Sequence, residues 1–113
     1  MKKDRVRKLA LRLLRAWESE DKYVNLLLDS PMTAELTGEE RRFLTALLYG
    51  TVERLITLDF WIARLTGKTA DRLAPGTRAL LRLGLYQLRF MDSVPDFAAV
   101  HETVALAAHE GER

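Results

Sequence analysis

Apolar residues recur every three or four positions through most of the chain, the spacing that lines them along one side of an α-helix. Val6, Leu9, Ala10, Leu13, Leu14 and Trp17 define a first helix. Tyr23, Val24, Leu26, Leu27 and Leu28 predict a short second one closing before Pro31, because a proline disfavours helical geometry in the residue ahead of it. At Thr37 to Glu40 a hydroxyl precedes a carboxylate by three residues, the capping-box spacing in which each side chain satisfies an unpaired amide of a helix start. The helix opened there carries Phe43, Leu44, Leu47, Leu48 and Val52, and the pattern runs on through Leu55, Ile56, Leu58, Trp61, Ile62 and Leu65 towards Gly67. Some thirty unbroken helical residues, roughly, would be long for so small a domain, so a break is expected between Arg54 and Asp59.

Pro75-Gly76 punctuates the chain again, and Leu80, Leu81, Gly84, Leu85 and Leu88 form the inward side of another helix ending near Met91. Val94-Pro95 marks a turn into a last helix through Phe97, Val100, Val104 and Ala107. Trp17 and Trp61 fall on apolar faces and are assigned to the core. No stretch alternates as a half-buried strand would. The expected fold class is all-α, a bundle of five to seven packed helices in a single domain over residues 1–113.

Composition narrows the function. A chain of 113 residues, 48% hydrophobic, supplies one core and no second domain. Charged residues of both signs at 30% exclude a disordered or low-complexity chain. The absence of cysteine excludes a disulfide framework, a thiolate metal site and a nucleophilic thiol. The basic start leads into an amphipathic pattern, without the long apolar block of a secretory signal or membrane span, so the cytoplasm is the expected location.

The net charge of +2 hides an asymmetry: residues 1–15 hold seven basic side chains and one acid, net +6, while the remainder is net −4. On a helical wheel Arg5, Lys8, Arg12 and Arg15 fall within an arc of about 80°, beside the apolar face. Cations repeated once per turn can meet successive phosphates of a nucleic acid strand; the plainer alternative is a solvated face that keeps the domain in solution. Arg78, Arg82 and Arg89 lie within about 40° of one another on their own helix, beside Tyr86, and are candidates to extend that surface. In the competing reading these arginines are merely solvated and Tyr86 is half-buried. His101 and His109 stand eight residues apart, too far to grip one metal ion, so no metal is expected. Nothing pairs a nucleophile with a base or forms a glycine-rich phosphate loop, so the chain is expected to be no enzyme and to take no cofactor.

Leu48-Tyr49-Gly50-Thr51-Val52-Glu53-Arg54, Leu83-Gly84-Leu85-Tyr86-Gln87-Leu88, and Val94-Pro95 followed by Ala98-Ala99-Val100-His101-Glu102-Thr103-Val104 resemble the NusB family, in order and over nearly the whole chain. More narrowly, they are similar to the NusB-like N-terminal domain of bacterial 16S ribosomal-RNA 5-methylcytosine methyltransferases of the Sun/Fmu type. Tyr49-Gly50-Thr51 and Tyr86-Gln87-Leu88 favour that branch over the free antitermination factors, which usually show glutamate where Gln87 stands. The family pattern has asparagine where His101 stands, so no role passes to that side chain.

The resemblance implies an RNA-binding accessory domain that positions 16S ribosomal RNA for a methyltransferase domain; the alternative it implies is an antitermination or protein-interaction adaptor. Arg7 and Ala10 match the arginine and alanine that open the first helix of the family, so Arg7 joins Arg5, Lys8, Arg12, Arg15, Arg78 and Arg82 as an expected RNA-contacting residue. S-adenosylmethionine would belong to the methyltransferase domain alone. Such domains normally continue into a further helix, so a C-terminal helix is expected to be missing, its face covered by a second copy or by the methyltransferase domain.

Overall fold

A computed structural model describes residues 3–20 and 23–91. Five α-helices follow one another: α1 (Lys3–Glu20), α2 (Val24–Leu28), α3 (Gly38–Glu53), α4 (Leu55–Thr66) and α5 (Pro75–Phe90), with short 3-10 turns at Pro31–Thr33 and Ala70–Arg72. There is no strand among the described residues. The helix expected beyond Pro95, with His101 and His109, lies outside them.

The boundaries have local causes. Thr37 Oγ1 accepts the Glu40 amide at 3.1 Å, and the Thr37 amide donates to Glu40 Oε1 at 3.0 Å, so the capping box forms in both directions. The long apolar run breaks at Arg54, which ends α3 and starts α4. Unbroken, residues 38–66 would make a rod of about 43 Å, longer than the 39 Å long axis of the molecule. Gly67 ends α4 with φ of +76°, the left-handed conformation that a side chain disfavours. Pro75 occupies the first turn of α5, where its missing N–H costs nothing.

The core sits where α1, α3 and α5 meet. Val6, Ala10, Leu13 and Leu14 of α1 pack on Leu44, Leu47 and Leu48 of α3 and on Leu80 and Leu83 of α5, with Leu27 and Leu28 of α2 closing one end. Gly50 lets Tyr86 lie directly against the α3 backbone, since a Cβ there would collide with the hydroxyl oxygen and Cζ of the phenol. Helix α4 docks on α5 through its buried Leu58 and Ile62. Four of its other apolar residues are exposed: Ile56 at 90%, Leu65 at 69%, Phe60 at 56% and Trp61 at 37%. Trp61 therefore departs from its expected core position, and the guanidinium of Arg89 lies 5.8 Å from its ring centroid. Trp17 is half-buried against the core.

Candidate nucleic-acid interface

Two consecutive turns of α1 and the segment after α2 build a groove of about 310 Å³. Its cations, Arg5, Lys8 and Arg12, are spaced so that they share one side of α1, and Leu9 lies between them. Met32, Glu35 and Leu36 form the opposite wall. That wall is fixed from beneath. The buried Thr33 hydroxyl lies 2.7 Å from the Leu28 carbonyl oxygen as donor, and Arg41 donates from Nη1 to the same carbonyl at 3.1 Å and from Nη2 to Thr33 Oγ1 at 3.2 Å.

The cations differ in freedom. Lys8 and Arg12 are exposed and have no ion-pair partner among the described residues. Arg5 donates from Nη2 to Glu40 Oε1 at 2.8 Å, the same oxygen that caps α3, and Glu40 is only 2% exposed. A phosphate must compete with that carboxylate for Arg5. Arg15 is half-buried and makes an interaction of its own.

Three of the expected RNA contacts, Arg7 from the family resemblance and Arg78 and Arg82 from the second arginine group, are turned inward and paired within the domain. Arg7 is buried; its Nε donates to Gln87 Oε1 at 2.6 Å and its guanidinium lies 5.5 Å from the centroid of Phe43. Gln87 in turn donates from Nε2 to the Leu83 carbonyl at 3.1 Å, so the pair joins α1 to α5 through the core.

Arg82 reaches both carboxylate oxygens of Asp59, at 2.8 and 2.9 Å, and Glu18 Oε2 at 2.7 Å. Arg78 also pairs with Glu18 and donates to the carbonyls of Ala70 at 3.0 Å and Leu73 at 3.1 Å, fastening the turn before α5. Burial first, and the charge of Arg82 second, lower the pKa of the Arg78 guanidinium. It stays charged at neutral pH because arginine starts so far above it. This network lines a larger groove of about 820 Å³, walled by Trp17 and Phe60. With two carboxylates against two guanidiniums, it leaves no surplus positive charge for a phosphate.

Residues 4–113 match the profile described as "NusB family". The chain belongs to the NusB family. Among its relatives it is 40% identical to the "Probable ribosomal RNA small subunit methyltransferase B" of Bacillus subtilis (strain 168), over 100% of this chain and 25% of that protein. It is 40% identical to the protein so described in Synechocystis, over 93% of this chain and 24% of that one. The chain thus spans about a quarter of the length of these relatives. It is also 30% identical to "Transcription antitermination protein NusB" of Bacillus velezensis, covering 99% of this chain and 85% of that protein.

A solved structure described as "Crystal Structure of a Plectonemic RNA Supercoil" contains a chain of the same fold, with a TM-score of 0.83 at 23% identity over 94% of this chain and 80% of that one. The all-helical bundle is thus the NusB bundle. Among the described residues no helix is long and apolar enough to cross a membrane, and no cluster of three or more histidine, cysteine or acidic side chains is placed to hold a metal ion.

Glu40 and Arg41 were not singled out by the sequence reading as parts of this site. The capping box flagged Glu40 only as a helix start, and nothing in the spacing of Arg41 reveals that it supports the groove wall. The 3-10 turn that presents Met32 is likewise unannounced, although Pro31 marks a helix stop.

Proposed function

We propose that this domain binds RNA through the α1 groove and is the non-catalytic module that presents ribosomal RNA to a methyltransferase domain. The observation that carries the reading is Lys8 and Arg12, exposed one turn apart beside the half-exposed Arg5 and in no ion pair among the described residues. Cations kept free of internal partners are available to displace the counterions of a phosphate backbone. The methyltransferase link is supported by the two relatives that carry a domain like this one as a quarter of their length. Small-subunit 16S ribosomal RNA is the RNA that this parentage favours.

Three phosphate contacts give a slope of log affinity against log salt of about −2 for single-stranded RNA, at about −0.7 per contact. Lys8→Gln with Arg12→Gln is expected to flatten that slope by about 1.4 while leaving the melting temperature unchanged. Arg78→Gln is expected to leave the slope as it is. Fluorescence anisotropy against a short labelled RNA measures both, and an unaltered slope in the double variant would exclude the groove as the binding site.

A second reading, a protein-interaction adaptor, is favoured by the outward apolar side chains of α4, with Ile56 and Phe60 on one flank of the helix and Leu65 on the other, all exposed to water. A methyltransferase domain or a second copy is the partner that would cover these side chains. It predicts association that survives salt. Ile56→Glu with Leu65→Glu is expected to abolish any self-association seen by sedimentation and to leave RNA affinity within about twofold, whereas a coupled loss of RNA binding would argue against two separate surfaces.

A further inference from the structure

We infer that the α1 groove is a subsite for one unpaired, amino-bearing base of single-stranded RNA, cytosine being the simplest, with Glu35 reading its edge. This rests on the RNA reading above and adds which RNA the site takes and by what group.

A surface that only tracks phosphates needs cations and nothing else. Here Leu9, Met32 and Leu36 lie among the charges, and Met32 is 43% exposed although it sits in a tightly held 3-10 turn. A thioether and two aliphatic side chains offer the face of a base a dry, polarisable floor, which bases already stacked in a duplex cannot reach. The volume of about 310 Å³ lies at the lower end of the range for small-molecule pockets, roughly 300 Å³ upward, and so suits one base. Thr33 and Arg41 hold the wall in place before any ligand arrives, so little ordering is left to oppose binding.

Glu35 is the second observation. It lines the same groove as Arg5, Lys8 and Arg12, yet it forms no ion pair among the described residues. A carboxylate near phosphates opposes binding unless it gains something in return. An acceptor at this place gains from a base edge that presents an amino group, as cytosine does through N4. Uracil offers only an N–H flanked by two carbonyl oxygens, which a carboxylate repels. Lys8 and Arg12 then take the flanking phosphates, and Glu35 supplies discrimination where the cations supply affinity.

The test compares labelled oligocytidylate, oligouridylate and a duplex RNA of equal length at one salt concentration. The intact chain is expected to bind oligocytidylate about fivefold to tenfold more tightly than oligouridylate, and the duplex more weakly than either. Glu35→Gln should bring the two single strands within about twofold of each other, chiefly by tightening oligouridylate, while Glu35→Asp should retain part of the preference. Met32→Ser should weaken both single strands several-fold without altering the salt slope or duplex binding, because the contact it removes carries no charge. Equal affinity of the intact chain for the two single strands, an unchanged preference in Glu35→Gln, or duplex binding as tight as single-strand binding would overturn the subsite and leave the phosphate-tracking reading standing. Absence of binding to all three RNAs would overturn both.

Discussion

Replacing Arg82 with alanine is expected to lower the unfolding free energy by about 3 kcal/mol, while RNA affinity stays unchanged. The guanidinium is buried and holds Asp59 of α4 and Glu18 of α1 from its place on α5. Its removal leaves Glu18 with Arg78 and leaves Asp59 without an ion-pair partner among the described residues. Glu18 and Asp59 are themselves partly exposed, which keeps the loss to the lower end of the 3–5 kcal/mol or so typical of a broken buried pair. Changing all three members together, with Glu18→Gln, Asp59→Asn and Arg82→Met, should recover most of the loss, because no charge is then stranded. Urea denaturation measures both. A drop below about 0.5 kcal/mol would mean that the network behaves as an ordinary surface pair.

Gly50→Ala is expected to cost about 2–3 kcal/mol, against the usual preference for alanine inside a helix. The new methyl group would collide with the hydroxyl end of the Tyr86 side chain, whose ring stands against Phe90 at a centroid distance of 5.5 Å. With Tyr86→Ala as background the obstruction is gone, and the same change should become stabilising by about 0.5–1 kcal/mol, the ordinary gain of helix propensity. The reversal of sign is the diagnostic, since a glycine kept for backbone flexibility would be destabilised in both backgrounds. A double-mutant cycle by denaturant titration reads it directly.

The helices were legible because each has a periodic apolar face and most have a chemical start or stop. The Thr37 capping box, the break at Arg54, Gly67 and Pro75 all fall where the sequence places them. The cations were harder to place. Arg7 lies within about 20° of Leu14 on the helical wheel, so its burial was open to view in the pattern that set aside Arg5, Lys8 and Arg12. Arg78 and Arg82 could not be resolved in that way. Their partner Glu18 is 60 and 64 residues away and Asp59 is 23 residues from Arg82, so only the packing of α1, α4 and α5 reveals where their charge is spent. Trp61 misled for a related reason: α4 is apolar on more than one side, and periodicity cannot say which side meets α5.

One oxygen of Glu40 caps α3 and also holds Arg5 of α1. The two helix starts are therefore coupled: loosening the first turn of α3 disturbs the hold on Arg5, and pulling Arg5 away removes one ion-pair partner from a shielded carboxylate. Slow amide protons at the starts of both helices should accordingly exchange as one cooperative unit, and a strand of nucleic acid that captured Arg5 would be felt at Thr37, on a different helix from the one it touches.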